Sequence, residues 1–138
     1  MADLLKLNVP GKPEYVGTVR MAASSLASGA GFDVEAIDDI KVAVSEACTN
    51  IVRHAHEGPD FVYDVSFEIE REKLTITVKD DGAGYNIEEY SEPVPGEIRE
   101  SGLGLFIIKA LMDEVDVQSE IGVGTHIRMT KYLQTGTA

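Results

Sequence analysis

The stretch that decides the fold reads Asp33-Val34-Glu35-Ala36-Ile37-Asp38-Asp39-Ile40-Lys41-Val42-Ala43-Val44-Ser45-Glu46-Ala47-Cys48-Thr49-Asn50-Ile51. Ile37, Ile40, Val44, Ala47 and Ile51 recur every three or four residues, which predicts a helix with one buried stripe. Asp33 is placed to cap its first turn, because its carboxylate can accept a backbone N–H that the helix leaves free. The helix is expected to run to about Ala55, before Gly58-Pro59 ends it. Glu46 and Asn50 stand at i and i+4, on a face away from the stripe, with Arg53 and His54 near its far end. A carboxamide oxygen can ligate a hard cation, and a carboxylate one turn away can orient or deprotonate a hydroxyl or water. Alone, such a pair reads as a solvated helix face, so its weight rests on what surrounds it.

Working outward, Leu4 to Val9 partly alternates and stops at Pro10-Gly11, a strand. Val16, Val19, Ala22, Ala23 and Leu26 place a helix over 14–30, broken by Gly29 and Gly31. Phe61, Tyr63, Val65, Phe67 and Ile69 alternate, as do Leu74, Ile76 and Val78, so the two runs form a hairpin across Arg71-Glu72-Lys73. From Asp81 to Ser101 the periodicity fails among Gly82, Gly84, Pro93, Pro95 and Gly96. A stretch of that length inside a small domain predicts a functional lid or a disordered segment, and a mobile lid is expected around 85–101. Leu103 to Met112 is apolar and helical, and two more strands flank Gly122-Val123-Gly124. The order βααββ-loop-αββ predicts an α+β fold: one domain over 1–138, a two-layer sandwich of a mixed, mostly antiparallel sheet with helices on one face.

Three further motifs bear on the Glu46–Asn50 pair. Asp80-Asp81-Gly82-Ala83-Gly84 follows a strand, where an acidic group can accept a hydrogen bond from a ligand amine and Gly82 lets backbone approach a flat ring. Ser101-Gly102-Leu103-Gly104-Leu105-Phe106 opens a helix, and free N–H groups at a helix start suit phosphate. Gly122-Val123-Gly124-Thr125 alone is a hairpin turn. Read singly, each has an ordinary structural explanation in a turn or a core-helix entry. Their order is the informative feature.

That order resembles the GHKL ATPases, the superfamily of gyrase, Hsp90, histidine kinases and MutL. Glu46-Ala47-Cys48-Thr49-Asn50 looks like its N box, Asp80 to Gly84 like its DxGxG box, and Ser101 to Leu105 and Gly124-Thr125 like its later glycine boxes. Within it, Val9 to Gly17, Asp39 to Asn50, Leu111 to Val115 and Met129 to Leu133 resemble the anti-sigma-factor serine kinases of the RsbW and SpoIIAB type. The resemblance implies a Bergerat-type fold, the histidine-kinase-like ATPase architecture, with ATP and Mg²⁺ as cofactors and a homodimer. It implies two partners: a sigma factor, which is held from RNA polymerase, and a STAS-domain anti-anti-sigma factor, which accepts phosphate on a serine. Bacterial stress or sporulation control is the implied setting. Carried over by position, Glu46 is the catalytic base and Asn50 the Mg²⁺ ligand. Asp80 reads the adenine amine, Gly82 and Gly84 shape the purine pocket, and Thr125 sits near the adenine. Gly102, Leu103, Gly104 and Leu105 make the phosphate-binding box. Arg20 matches a family position that contacts both partner proteins.

Composition narrows the classes. The 138 residues include 12 basic and 24 acidic side chains, a net charge of −12, which argues against direct nucleic-acid binding. No apolar run reaches the roughly 18 residues of a membrane span, no signal-peptide pattern opens the chain, and the lone Cys48 permits no internal disulfide. A cytoplasmic protein is expected. The P-loop pattern G-x-x-x-x-G-K-[ST] is absent, as are H-R-D and D-F-G. Phosphate charge would therefore be met by Mg²⁺, helix N–H groups and a lid cation such as Arg99. Other readings are a switch-type serine kinase that binds no sigma factor, an ATP-dependent binding protein without transfer, and a histidine-kinase catalytic domain. None of His54, His56 and His126 has the setting of a phosphoacceptor on a dimerising helix, which disfavours the last.

Overall fold

The alternation in the predicted hairpin builds the centre of a five-stranded sheet. The computed structural model describes residues 2–54, 61–80, 100–120 and 124–134. Its strands are β1 (Asp3–Pro10), β2 (Val62–Ile69), β3 (Lys73–Asp80), β4 (Glu114–Glu120) and β5 (Gly124–Tyr132), and its helices α1 (Val16–Ala30), α2 (Val34–His54) and α3 (Glu100–Leu111). The strand order is β1-β2-β3-β5-β4, with every pairing antiparallel. The parallel component that the expected mixed sheet allowed is thus not found among the described strands.

Register places Val9 beside Tyr63, Val65 and Phe67 beside Val78 and Ile76, and these last two beside Ile127 and Met129, on one face. All are buried, and α1, α2 and α3 cover that face with Val19, Ala23, Ile40, Val44, Ala47, Ile51, Leu105 and Ile108. The other face is polar: Asn8 donates to Asp64 Oδ1 at 3.0 Å, and Lys79 and His126 continue that row. One apolar and one wet face is what an antiparallel sheet under a single helix layer requires. Ile37 is only half-buried, while the rest of its stripe is fully enclosed.

The helix ends obey local chemistry. Asp33 Oδ1 accepts the Ala36 N–H at 2.8 Å, the cap expected from the sequence. Helix α1 begins at Val16 because Lys12-Pro13 opens a separate 3-10 turn over Pro13–Tyr15. It ends where Gly31 adopts φ 100°, with the Phe32 N–H reaching Ala27 O and the Gly31 N–H reaching Ser28 O. Phe32 is then buried, tying the α1–α2 turn to the core.

One boundary needs correcting. Glu100 and Ser101, placed at the far edge of the 85–101 lid, are the first residues of α3. The buried Leu105 and Ile108 fix α3 against the core, and its winding extends back from them to Glu100. Residues 85–99, with Gly82 and Gly84, lie outside the described residues.

Candidate active site

The described residues among the sequence-derived site candidates fall mainly into two clusters. The first joins α2 to α3, which pack side by side. Glu46 is half-buried, and a Cβ placed on Gly104 would stand 3.0 Å from its Oε2. A side chain at position 104 would ask the Glu46 carboxylate to give way by a few tenths of an ångström, so glycine leaves that carboxylate undisturbed against α3. One turn further along α2, Asn50 is 7% exposed, and its buried Oδ1 has no hydrogen-bond partner among the described residues. This corrects the solvated-face reading of the pair: α2 turns Asn50 inward. An unpaired buried carbonyl oxygen is a costly feature, and it is the donor type that a hard cation takes. Among the described residues no group of three or more His, Cys, Asp or Glu is set to hold a metal ion. The buried Asn50 oxygen is the one feature here that fits a hard cation, which would take its remaining ligands from water and phosphate oxygens.

The second cluster is a row across the end of the covered sheet face. Asp80, the last residue of β3, is paired with Thr125 of β5, which is paired in turn with Ser119 of β4. Asp80 and Thr125 are 3% and 2% exposed, and the Thr125 and Ser119 hydroxyls lie 2.8 Å apart. A carboxylate beside a hydroxyl can recognise a flat ring carrying a donor next to an acceptor. Ser119 went unread in the sequence, since nothing in Gln118-Ser119-Glu120 marks it. Only the register brings it to Thr125.

The glycine box divides. Gly102 lies in the first turn of α3 and Leu103 is exposed at 42%, whereas Leu105 is fully buried in the hydrophobic core. The Leu105 side chain anchors α3, so whatever that position offers a ligand comes from its backbone. Arg20 stands apart from both clusters. It lines a groove of about 770 Å³ with Lys12, Thr49, Val52 and Arg53, between the start of α1 and the end of α2. Three cations thus share one groove on a chain of net charge −12. Thr49 and Arg53 flank Asn50 on α2, so the groove and the first cluster share one helix segment.

Behind the site, burial pushes the Cys48 thiol up to about 12, partly offset by the Tyr63 hydroxyl. Burial likewise raises Tyr63, with Cys48 adding to it. Tyr63 Oη has no hydrogen bond of good geometry, so the two groups touch rather than form a directed bond. Cys48 is core, not chemistry.

Comparison with known proteins agrees with this geometry. The histidine kinase-like ATPase domain matches residues 9–131. The serine-protein kinase RsbW of Bacillus pumilus is 40% identical over 142 residues, covering 95% of this chain and 86% of that one. RsbW of Listeria innocua is 42% identical, covering 96% and 89%. The crystal structure of the RsbU and RsbW domains of a Mycobacterium tuberculosis protein superposes with a TM-score of 0.69 at 20% identity. It covers 94% of this chain and 32% of that longer one, a likeness of fold. The fold and the family match define a histidine kinase-like ATPase. Within that class the chain belongs to the RsbW serine-protein kinases, ATP-dependent enzymes that phosphorylate protein serine.

Proposed function

We propose that this kinase is an anti-sigma factor that binds and inhibits a sigma factor and phosphorylates a serine on a STAS-domain anti-anti-sigma factor. The observation that carries the catalytic part is the approach of Glu46 to Gly104 at the start of α3, with the unpaired Asn50 oxygen one turn away. In this reading the acceptor serine oxygen attacks the γ-phosphorus of ATP, its proton passes to the Glu46 carboxylate, and the bond to the β-phosphate oxygen breaks to release ADP. Asn50 Oδ1 would hold Mg²⁺, which when bound supplies charge neutralisation at the phosphates. Asp80 accepts from the adenine amine, Thr125 lies beside the ring, and the α3 N-terminus with Gly102 and Gly104 receives phosphate. Gly82 and Gly84 complete the purine pocket by position in the motif.

The partner side rests on the groove of Lys12, Arg20 and Arg53, a cationic surface suited to an acidic partner face. A homodimer belongs to the same reading. It is supported by β1, an edge strand that leaves Leu4 and Leu5 exposed. No described helix is long and apolar enough to cross a membrane, and a cytoplasmic site of action is proposed.

Glu46→Gln tests the mechanism. Nucleotide affinity is expected to hold, while transfer from [γ-³²P]ATP to a STAS protein falls by about 10²–10⁴. Unchanged transfer removes Glu46 from the role of base. Arg20→Glu tests the partner surface: pull-down of sigma factor and STAS protein should weaken with ATP binding intact. Retained STAS binding with no sigma binding in the parent chain would favour the switch-type kinase.

A further inference from the structure

We infer that Lys131 is a positioning residue for phosphoryl transfer: its ammonium ties the C-terminal end of α3 to α2 and so sets the register in which Gly104 meets Glu46. The inference rests on the reading of Glu46 and the α3 N-terminus as the base and phosphate positions.

Lys131 interrupts a pattern. Ile127 and Met129 point from β5 into the helix layer, and strand alternation puts position 131 on the same face, opposite the buried Leu74 of β3. An apolar residue is expected there, yet the chain places a cation whose side chain is only 15% exposed. A charge held so far from water is costly unless it is paired. Its Nζ donates to the Leu111 carbonyl oxygen at 2.6 Å and stands 3.6 Å from Asp39 Oδ2. Leu111 ends α3, so its carbonyl has no partner within the helix, and a cation there also opposes the negative end of the helix dipole. One ammonium on β5 thus touches α3 and α2 together.

The two meeting points of the helices are matched in spacing. Glu46 lies two turns after Asp39 on α2, and Gly104 lies two turns before Leu111 on α3. The pair therefore runs antiparallel, with the Lys131 tether at one point and the Glu46–Gly104 approach about 10 Å along the axes. Between them, Leu105 and Ile108 bury α3 against the core. Apolar burial is non-directional, so it resists separation of the helices more than a small slide. A hydrogen bond to one carbonyl, short and directed, does resist sliding. Without it α3 can shift along its axis, and a shift of about 1 Å at Gly104 is enough to spoil the alignment of Glu46 with the phosphates.

Lys131→Met keeps the unbranched stem and removes the ammonium, while Lys131→Arg keeps the charge and the donors. Transfer to a STAS protein gives kcat and KM for ATP on each full-length chain, with calorimetry for nucleotide affinity and urea unfolding alongside. Lys131→Met is expected to lose about tenfold in kcat, with nucleotide affinity within about threefold of the parent because β3 and β5 keep Asp80 and Thr125 in place. Lys131→Arg should retain most of the parent's kcat. Asp33→Ala controls for stability alone: it removes the cap of α2 and should leave kcat unchanged while the urea midpoint falls. An unchanged kcat in Lys131→Met overturns the inference. So does an equal loss in Lys131→Arg, or a matching loss in Asp33→Ala, since either would report packing. If Lys131→Met does not fold, Asp39→Ala decides, because it cuts the tether on the α2 side at a part-exposed position. A loss of about threefold in kcat there supports the tether, and an unchanged kcat overturns it. A parent that transfers no phosphate to a STAS protein sinks the proposed function, and this inference with it. An active parent with an unaffected Lys131→Met sinks only the role of Lys131.

Discussion

Gly104 on α3 and Glu46 on α2 come so close that a methyl group on the glycine would stand 3.0 Å from the Glu46 Oε2 atom. The two residues belong to separate sequence motifs, and their meeting turns two helices into one site. A Gly104→Ala chain therefore separates stability from activity. Alanine favours a helix interior over glycine by about 1 kcal/mol, so the melting temperature should hold or rise. The displaced carboxylate should cost roughly ten- to a hundredfold in kcat, the scale of a misplacement of up to 1 Å. Thermal melting and a phosphotransfer assay check both signs, and full activity would show that Glu46 can move aside without consequence.

Asn50 has the opposite balance. Its Oδ1 is buried and unpaired, and an orphaned acceptor costs about 1–3 kcal/mol. Asn50→Ala removes that burden while losing some packing, so urea unfolding without nucleotide should move by no more than about 1 kcal/mol. The dependence of ATP affinity on Mg²⁺ should flatten. A large loss of stability with metal dependence intact would assign Asn50 to the scaffold.

Cys48 gives the chain an alkaline weakness. The folded thiol sits at about 12 against an ordinary 9.0, so the folded state holds this proton more tightly than the unfolded one. The resulting stability is complete below pH 9 and is lost as pH rises toward 12, by at most about 1.4 kcal/mol per pH unit. Urea midpoints across pH 8–11 should fall in the parent and fall less in Cys48→Ala. At pH 8 the native thiol should react slowly with a disulfide reagent and rapidly in denaturant; prompt native labelling would contradict the burial.

Asp33 tests the helix start away from the chemistry. Losing the 2.8 Å bond to the Ala36 N–H should cost about 1 kcal/mol, or roughly 3–5 °C in melting temperature. Asp33→Asn should recover most of it, because asparagine caps as well. Phosphotransfer should be unchanged, since the cap lies at the far end of α2 from Asn50.

By itself the sequence determined the elements, because helix and strand periods are local and each apolar stripe is written in consecutive residues. Asp33 as a cap, the Ile40–Val44–Ala47–Ile51 stripe and the β2–β3 hairpin needed no tertiary knowledge. The order of the glycine motifs was equally legible, as was the pairing of Glu46 with Asn50. Tertiary structure alone decided what those motifs face. Asn50 is buried because α2 lies at the centre of the helix layer, between α1 and α3. Its i, i+4 relation to Glu46 does not reveal that. Asp80 meets Thr125 because β5 inserts between β3 and β4, and pairing between strands distant in sequence is set by register and chain closure that no short window contains. The same long-range packing brings Gly104 against Glu46.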